Sequence, residues 1–338
     1  MDAILLQILN GLDKGGAYAL IALGLTLIFG TLGVVNFAHG ALFMLGAFCA
    51  VSLNKMMTAS VKVKDESVTF FEAFKEVPYL ELWLGETGTT LISWSVPLSI
   101  LLAIPVMLFI GLAMERGLIR HFYRRPHADQ ILVTFGLAIV LQEIVKASFG
   151  ANPHPQAVPE MFSGTANVGA LFGLGDNIVY PIWRLVYFFF SMSIIGMVFA
   201  FLQFTTFGMV VRAGMADRET VQLLGINITK RFSIVFGLAA VVSGLAGLMY
   251  TPILPPDYHI GMDFLVLSFV VVVVGGMGSL PGAVLAGFLL GILQSFASMN
   301  EVKSVLPGID QIIIYLIAMV VLLVRPRGLL GRKGVMEY

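Results

Sequence analysis

The 338-residue chain is 58% hydrophobic and only 12% charged, and its mean hydropathy is +0.93. A soluble globular chain is about 45–50% apolar and about a quarter charged, so this composition excludes an ordinary soluble fold and indicates a membrane protein. The formal net charge of zero gives no overall basic field that would attract nucleic acid. A single cysteine, Cys49, excludes an internal disulfide, and no Cys/His spacing predicts a metal or another cofactor.

Long apolar runs predict about nine transmembrane helices, because about 20 apolar residues cross the hydrocarbon core as a helix. In chain order the runs are residues 15–32, 37–57, 91–114, 131–149, 183–204, 232–251, 264–299 and 310–324. A glycine-rich break at residues 275–282 divides the longest run into two short, broken helices. The predicted fold class is therefore all-α, a polytopic transmembrane helix bundle that forms one domain over residues 1–338.

Basic residues predict the orientation, because cytoplasmic loops carry the excess of Lys and Arg. Twelve of the 20 Lys and Arg residues fall in three connections. They are Arg116, Arg120, Arg124 and Arg125; Arg212, Arg218, Lys230 and Arg231; and Arg325, Arg327, Arg332 and Lys333. With nine spans, these connections place the N-terminus outside and the C-terminus in the cytoplasm. All three basic connections fall on the same side of the membrane only if the break at 275–282 separates two spans.

Two long segments are predicted on the outer side. Residues 58–90 form an external insertion rich in acidic residues, within which residues 68–84 could fold as an amphipathic helix on the outer surface. Residues 151–181 are rich in Pro and Gly and predict an irregular loop. Each segment either docks an external partner or is a solvated loop without one.

Polar residues within apolar runs are candidates for function because they are costly at bilayer depth. Asp13 lies near the predicted outer end of the first span, and Glu143 and Lys146 are spaced to form an ion pair on one helix face. Asn36 and His39 fall at a predicted cytoplasmic turn between the first two spans. Asn36 either caps the next helix or, with His39, lines a pathway; His39 otherwise bonds a neighbouring loop.

The second basic connection, residues 205–231, has the features of a cytoplasmic docking loop. Residues 216–224 predict a short helix, with Asp217 and Glu219 near its start where negative charge suits the helix dipole. Gly225 is placed to end this helix. Val221, Leu224 and Ile226 are apolar although they belong to a cytoplasmic loop, so they are expected to form an exposed apolar patch. The helix is expected either to insert into a groove of a partner protein or to rest on the membrane surface.

Catalytic and nucleotide-binding motifs are missing from the chain. It contains no G-x-x-x-x-G-K-[ST] loop and no nucleophile–base or metal constellation. The protein is therefore expected not to be an enzyme, and any ATP that drives it would be bound by another polypeptide.

Four ordered motifs resemble those of the branched-chain amino-acid ABC transporter permeases. They are Asn36-Phe37-Ala38-His39-Gly40, Leu223-Leu224-Gly225-Ile226-Asn227, Gly275-Gly276-Met277-Gly278-Ser279-Leu280-Pro281-Gly282-Ala283 and Val324-Arg325-Pro326-Arg327-Gly328-Leu329. The resemblance runs from about residue 9 to residue 331 and is closer to the LivH branch than to the LivM branch. Residues 58–90 look longer than the family's usual connection.

The resemblance implies a permease subunit of an ABC importer for branched-chain or related amino acids in the bacterial inner membrane. Its implied partners are a second, LivM-like permease, two cytoplasmic ATPase subunits, a periplasmic substrate-binding protein and membrane lipid, with no nucleic acid. The implied ATPase-coupling loop comprises Asp217, Glu219, Leu223, Leu224, Gly225, Ile226 and Asn227. Relatives that carry urea or short amides leave the substrate open, and the permease pair is either identical or mixed.

The expected translocation pathway comprises Asn36, His39, Gly276, Gly278 and Ser279. Broken helices at membrane depth tend to line cavities, which is the reason for this choice. The alternative function is an ion-coupled secondary transporter, whose folds also use broken helices. The scarcity of intramembrane carboxylates disfavours proton coupling.

Overall fold

A computed structural model describes residues 2–64, 74–123, 125–171 and 178–331, and for residues 2, 64, 171, 218, 219 and 229 it describes the backbone alone. The helices are α1 (Asp2–Leu32), α2 (His39–Met57), α3 (Tyr79–Leu84), α4 (Glu86–Ser93), α5 (Ser95–Gly117), α6 (His127–Phe149), α7 (Val168–Leu171), α8 (Ile182–Phe204), α9 (Thr206–Ala216), α10 (Arg218–Leu223), α11 (Ile228–Tyr250), α12 (Ile260–Gly275), α13 (Leu280–Ala297), α14 (Asn300–Val305) and α15 (Ile309–Val324). The strands are β1 (Ser60–Lys64), β2 (Phe74–Pro78), β3 (Thr165–Asn167) and β4 (Val179–Pro181), and two 3-10 turns cover Ile119–Phe122 and Glu160–Phe162.

Nine of these helices in the described part of the chain are strongly apolar. Seven of them are long and apolar enough to cross a membrane, and α12 and α15 are shorter apolar helices. These nine confirm the predicted spans to within a few residues, except that α1 begins at Asp2 rather than near residue 15. The all-α bundle is therefore confirmed, and so is the division of the longest apolar run into α12 and α13.

The centre of the bundle is formed by α1 and α11. In α1, 89% of the apolar segment is buried, and in α11 83% is buried. In α5, α6 and α8 only 17–22% of the apolar segment is buried. Helix α1 packs mainly on α13, and α11 packs on α2 and α5. The outward faces of α5, α6 and α8 are therefore available to lipid or to another subunit, as is most of α15.

Glycines let the central helices approach closely. A Cβ at Gly291 would lie 2.5 Å from Gly15 Cα, so α13 touches the α1 backbone there. At Gly46, a Cβ would overlap the backbone of Gly244, which brings α2 and α11 together in the same way. Between helices in lipid there is no hydrophobic drive, so such close van der Waals packing supplies the stability.

The predicted basic residues gather where α1, α5, α8, α12 and α15 end, which we call the basic end of the bundle. Helices α1 and α13 are antiparallel, since the residues of α1 near Gly15 meet Gly291 and Gly30 lies beside Gly278. Predicted basic residues with described side chains at this end are Arg116, Arg120, Arg125, Arg212, Lys230, Arg231, Arg325 and Arg327. Arg124, Arg332 and Lys333 lie outside the described residues, as does the side chain of Arg218.

The prediction of an amphipathic helix over residues 68–84 is wrong for part of that range. Residues Phe74–Pro78 form strand β2, which pairs in antiparallel fashion with β1, and only Tyr79–Leu84 is helical. The alternation of Lys and Val in β1 suits a strand with two different faces, and Pro78 at the end of β2 separates it from α3. Residues 65–73 lie outside the described residues.

Substituting Gly46 by Val should disrupt the contact between α2 and α11, because the new side chain would overlap the backbone of Gly244. We expect a loss of about 1–3 kcal/mol or more from overpacking, seen as a lower thermal midpoint of the purified protein in detergent. Gly196→Val is the matched control, because no atom lies within 4 Å of a Cβ built there. Equal midpoints for the two variants would contradict this account of the packing.

Candidate functional site

The predicted docking helix is present as α10 and is fixed at both ends. Asp217 caps it: its Oδ1 accepts a hydrogen bond from the backbone N–H of Thr220 at 3.1 Å. Gly225 follows with φ +79°, a left-handed conformation that ends a helix at little cost for glycine. Asn227 then caps α11 by accepting a hydrogen bond from the N–H of Lys230 at 3.1 Å. The short helix predicted over residues 216–224 is therefore present but begins at Arg218, because Ala216 ends α9 and Asp217 separates the two helices.

Two leucines project from α10 into solvent at the basic end. Leu223 is 87% exposed and Leu224 is 73% exposed, whereas Val221 is only 6% exposed and anchors the helix. The expectation that Val221 belongs to the exposed patch is therefore wrong, because the side chain points back towards the bundle. Ile226 is half-buried. The side chain of Glu219 lies outside the described residues.

The segment that carries α10 contacts the rest of the bundle through α9. A Cβ at Gly30 of α1 would collide with the side chain of Met215 in α9, and Gly278 Cα lies 3.7 Å from the same position. The ends of α1 and α9 and the turn between α12 and α13 thus meet at the basic end. The coupling residues and the glycine turn are brought near each other through these contacts.

The glycine turn between α12 and α13 is sealed by the segment that follows α15. The N–H of Leu329 donates to Val274 O at 2.7 Å, and the N–H of Leu330 donates to Gly275 O at 3.0 Å. Gly276 has φ +103°, and a Cβ on it would lie 2.5 Å from the backbone N of Gly331. Two of the four sequence motifs therefore form a single packed unit at the basic end.

Two other residues of that turn were predicted to line the pathway. Ser279 caps α13, since its hydroxyl oxygen accepts a hydrogen bond from the N–H of Gly282 at 3.3 Å. Gly278 has φ +82° and is half-buried. Both residues thus have a local structural role in reversing the chain.

Asn36 and His39 lie deeper in the bundle than a surface turn would place them. After α1 ends, the chain folds back, so that a Cβ at Gly24 would lie 2.7 Å from His39 Nε2. The backbone N–H of Phe37 donates to Thr134 Oγ1 of α6 at 3.1 Å, and both Asn36 and His39 are 0% exposed. The expectation of a turn at the cytoplasmic surface is therefore corrected: these residues form a re-entrant segment inside the bundle.

The re-entrant segment contains buried polar atoms without hydrogen-bond partners. Asn36 Oδ1 accepts a hydrogen bond from the N–H of Ala38 at 3.0 Å, just before α2. Its Nδ2 atom, both ring nitrogens of His39 and Thr26 Oγ1 make no hydrogen bond of normal geometry, although the ring faces the α1 backbone at Ile21. A buried polar group left in this state costs about 1–3 kcal/mol, and a functional role is one reason for a protein to keep it.

A second buried polar cluster joins α1 to α8 at the opposite end of the bundle. Asp13 is 1% exposed, and its Oδ2 atom lies 3.2 Å from Arg184 Nη1. The Tyr180 hydroxyl donates to the same oxygen at 3.2 Å, and Arg184 Nη1 donates to Asn10 Oδ1 at 2.9 Å. Sequence reasoning selected Asp13 but missed its two partners, Tyr180 and Arg184, because no local spacing links residue 13 to residues near 180. The predicted pair of Glu143 and Lys146 is present at 3.6 Å.

An open cavity of about 410 Å³ lies at the same end, beside the external insertion. The ends of α2 and α11, helices α3 and α4 and the loop before α8 enclose it. Its polar lining includes Asn54, which donates from Nδ2 to Gln156 Oε1 at 2.7 Å, together with Glu81 and Glu160. In the described part of the chain, no group of three or more His, Cys, Asp and Glu residues could hold a metal ion.

Comparison with known proteins places the chain among membrane transport proteins. Residues 7–322 match the family described as the permease component of the branched-chain amino acid transport system. The chain belongs to this family.

Two of three named relatives match almost the whole chain, and the third matches 66% of it. The high-affinity branched-chain amino acid permease BraD of Pseudomonas aeruginosa is 29% identical, with 97% of this chain and 96% of BraD covered. The corresponding permease LivH of Escherichia coli is 27% identical with the same coverage. The ribose import permease RbsC of Haemophilus influenzae is 26% identical over 66% of this chain and 69% of its own. No solved structure matches the chain significantly.

In this permease, Asp13→Asn should destabilise the fold, because it leaves the Arg184 guanidinium without its carboxylate. Breaking a fully buried ion pair costs about 3–5 kcal/mol, and we expect somewhat less here because the Arg184 side chain is 33% exposed. Asp310→Asn is the control, because it removes the exposed pair of Lys303 and Asp310 and should cost below about 1 kcal/mol.

Thermal unfolding of the purified protein in detergent distinguishes the two variants. The double variant Asp13→Asn, Arg184→Gln should be more stable than Asp13→Asn alone, because it leaves no uncompensated charge. A midpoint for Asp13→Asn equal to that of Asp310→Asn would show that the buried pair does not hold α1 to α8.

Proposed function

We propose that this chain is one of two permease subunits of an ATP-driven importer of branched-chain or related amino acids. Its family membership supports the transport role. The names of BraD and LivH as branched-chain amino acid permeases support the substrate class. The basic end supports a cytoplasmic C-terminus and an external N-terminus in a bacterial inner membrane, because Lys and Arg favour the cytoplasmic side. Residues 1–338 then act as a single transmembrane permease domain.

The observation that carries the proposal is the pair of exposed leucines on a capped helix at the basic end. Leu223 and Leu224 offer apolar area that water does not favour, and the caps at Asp217 and Asn227 hold the helix in one orientation. A short helix of this kind suits a hydrophobic groove on another protein. The chain has no phosphate-binding loop, so the groove belongs to a separate ATPase subunit, of which an importer uses two.

Movement of the ATPase would reach the membrane helices through a chain of contacts. Displacing α10 moves α9, whose Met215 packs on Gly30 at the end of α1. Gly278 of the turn between α12 and α13 lies against the same position. ATP binding can shift the permease only if these contacts differ between its two states, as any ligand-driven equilibrium requires.

The re-entrant segment is proposed as the polar station of the translocation pathway, that is, the place where the solute forms hydrogen bonds with the protein. Asn36 and His39 offer unpaired hydrogen-bonding atoms inside the bundle, where α2, α6 and α12 converge. Gly276, Gly278 and Ser279 would line the pathway nearer the cytoplasm, if the seal on their turn opens. A zwitterionic solute needs such hydrogen-bonding groups as it loses its hydration shell.

The other proposed partners occupy the remaining surfaces. A LivM-like second permease would pack against peripheral helices, since the outward faces of α5, α6 and α8 are unburied. A periplasmic substrate-binding protein would dock at the end opposite the basic end, where the external insertion, residues 58–90, borders the 410 Å³ cavity. Surrounding lipid covers the rest of the apolar surface.

The rival functions make different predictions. An ion-coupled secondary transporter would purify alone and would move its solute without ATP. A LivH-like permease for urea or short amides would need the ATPase but would show no competition by leucine. Uptake of labelled leucine into proteoliposomes that hold the co-purified complex and its binding protein, with and without ATP and unlabelled urea, separates the three.

Replacing Leu223 and Leu224 by Asp should abolish association with the ATPase, because it removes the apolar surface while leaving both helix caps intact. We expect the variant to keep the thermal midpoint of the wild type and to lose the ATPase from pull-downs out of native membranes. Val305→Asp is the control: this residue is 76% exposed on α14 at the opposite end and should have no effect.

Changing Gly225 to Leu tests the same coupling loop through its backbone. The positive φ at this position disfavours any side chain, so the end of α10 should shift and the ATPase should be retained less well. A permease with Asp at both leucine positions that still recovers the ATPase in wild-type amounts would overturn the assignment of the coupling helix.

His39→Ala should abolish or strongly reduce uptake while leaving the ATPase bound, because it removes the polar station and not the coupling helix. The control is Ser268→Ala, since Ser268 is also fully buried but its hydroxyl is already satisfied by Phe264 O at 2.5 Å. The measurement is ATP-dependent uptake normalised to assembled complex. Normal uptake by His39→Ala and Asn36→Ala together would remove the re-entrant segment from the pathway.

A further inference from the structure

An apolar groove runs along the bundle between α8 and α11. Its volume is about 210 Å³, and every residue lining it is apolar. Leu27 of α1 forms its floor, Met197 and Phe201 of α8 form one wall, and Leu238 of α11 forms the other. The groove extends from the middle of the bundle to Phe207, at the start of α9, and so it opens towards the basic end.

Two arginines stand at the mouth of this groove. Arg231 Cζ lies 5.5 Å from the centroid of the Phe207 ring, and Phe207 itself lines the groove. On α11, Arg231 precedes Val235 by four residues and Leu238 by seven, so all three share the face that forms the wall. Arg212 of α9 donates a hydrogen bond to the side chain of Gln203 at the end of α8. Arg231 therefore borders the groove directly, and Arg212 bonds the residue that follows Leu202 of the groove lining.

The positive charge at the mouth meets no carboxylate among the described side chains. Among the side chains that the structure describes, no carboxylate lies within 4 Å of Arg212 or Arg231 in an ion pair. A guanidinium binds phosphate oxygens through two parallel hydrogen bonds, which makes it a suitable partner for a phosphodiester. The site thus combines a hydrocarbon-like groove with a cationic rim at the basic end of the bundle.

We propose that this groove binds one molecule of anionic phospholipid, with an acyl chain along α8 and α11 and its phosphate on Arg231 and Arg212. Basic pockets between transmembrane helices on the cytoplasmic side recognise anionic headgroups in this way. An apolar helix of the second permease is the other conceivable occupant. Such a helix would fill the apolar groove but would leave the cation of Arg231 beside Phe207 without an anion, whereas an anionic phospholipid supplies both a hydrocarbon chain and a phosphate.

The bound lipid would act on the coupling region. Arg212 lies in α9 and Arg231 in the first turn of α11, so the two arginines flank α10 in sequence. A phosphate held between them would tie the two helices that carry α10. Retention of the ATPase should therefore depend on anionic lipid, a dependence that goes beyond the transport function proposed above.

Native mass spectrometry of the delipidated permease tests lipid binding directly. With phosphatidylglycerol or phosphatidylcholine of matched chain length, we expect about a thirtyfold preference for phosphatidylglycerol, as two basic residues at an anionic headgroup would give. The variant Arg212→Gln, Arg231→Gln should lose the preference. Arg120→Gln is the control, because it removes a cation at the same end but away from the groove.

A second variant tests the groove itself. Leu238→Trp should fill the space for the acyl chain and reduce binding of both lipids, whereas the arginine variant should affect only the anionic one. If either variant fails to fold, the wild-type protein still decides the question, because the preference must fall as salt screens the phosphate contact.

Three results would overturn the proposal. They are equal binding of the two lipids by the wild type, a preference that survives loss of both arginines, and a preference that does not change with salt. Cross-linking of Met197→Cys to a second permease subunit in the membrane would instead assign the groove to a protein interface. Failure of the transport proposal would leave these lipid measurements unaffected, so the two are tested separately.

Discussion

Close backbone contact around α1 is the constraint on which the rest of the structure depends. In lipid, helices gain nothing by hiding apolar side chains from one another, so glycine contacts such as those of Gly15 with Gly291 and Gly46 with Gly244 determine which helices become neighbours. With α1 and α11 fixed in the centre, the polar groups of both clusters are buried as a consequence. The peripheral helices are left to face lipid or other chains.

The two ends of the bundle use polar chemistry for different purposes. Away from the basic end, Asp13 and Arg184 join two helices through an ion pair supported by Tyr180, although the second carboxylate oxygen of Asp13 has no partner. In the re-entrant segment, by contrast, neither ring nitrogen of the buried His39 makes a hydrogen bond of normal geometry. The ion-paired cluster fits a structural role, and the buried imidazole fits a place where a passing solute forms hydrogen bonds. At the basic end, the exposed leucines and the positive charge of the arginines are suited to contacts outside the chain.

Sequence reasoning was reliable where the physical cause is local. Apolar run length predicted the nine helices, and a capping Asp217 with a following Gly225 predicted the ends of α10. It failed where distant parts of the chain decide the outcome. The depth of His39 depends on how the chain folds back against α1 and α6, and the burial of Val221 depends on its packing against the bundle. Neither the depth of His39 nor the burial of Val221 can be predicted from neighbouring residues. The β1–β2 hairpin was missed because each of its strands is stable only when it is paired with the other.

The backbone hydrogen bonds between the C-terminal segment and the glycine turn also affect how the protein folds during its synthesis. The carbonyl groups of Val274 and Gly275 receive their partners from Leu329 and Leu330, more than fifty residues later in the chain. While the ribosome is still producing α13 to α15, these carbonyls have no partner from that segment. The hairpin of α12 and α13 is therefore completed only when the last part of the chain emerges. Final closure of the bundle is a post-insertion event, and a truncation before residue 329 would leave an assembly intermediate exposed to membrane quality control.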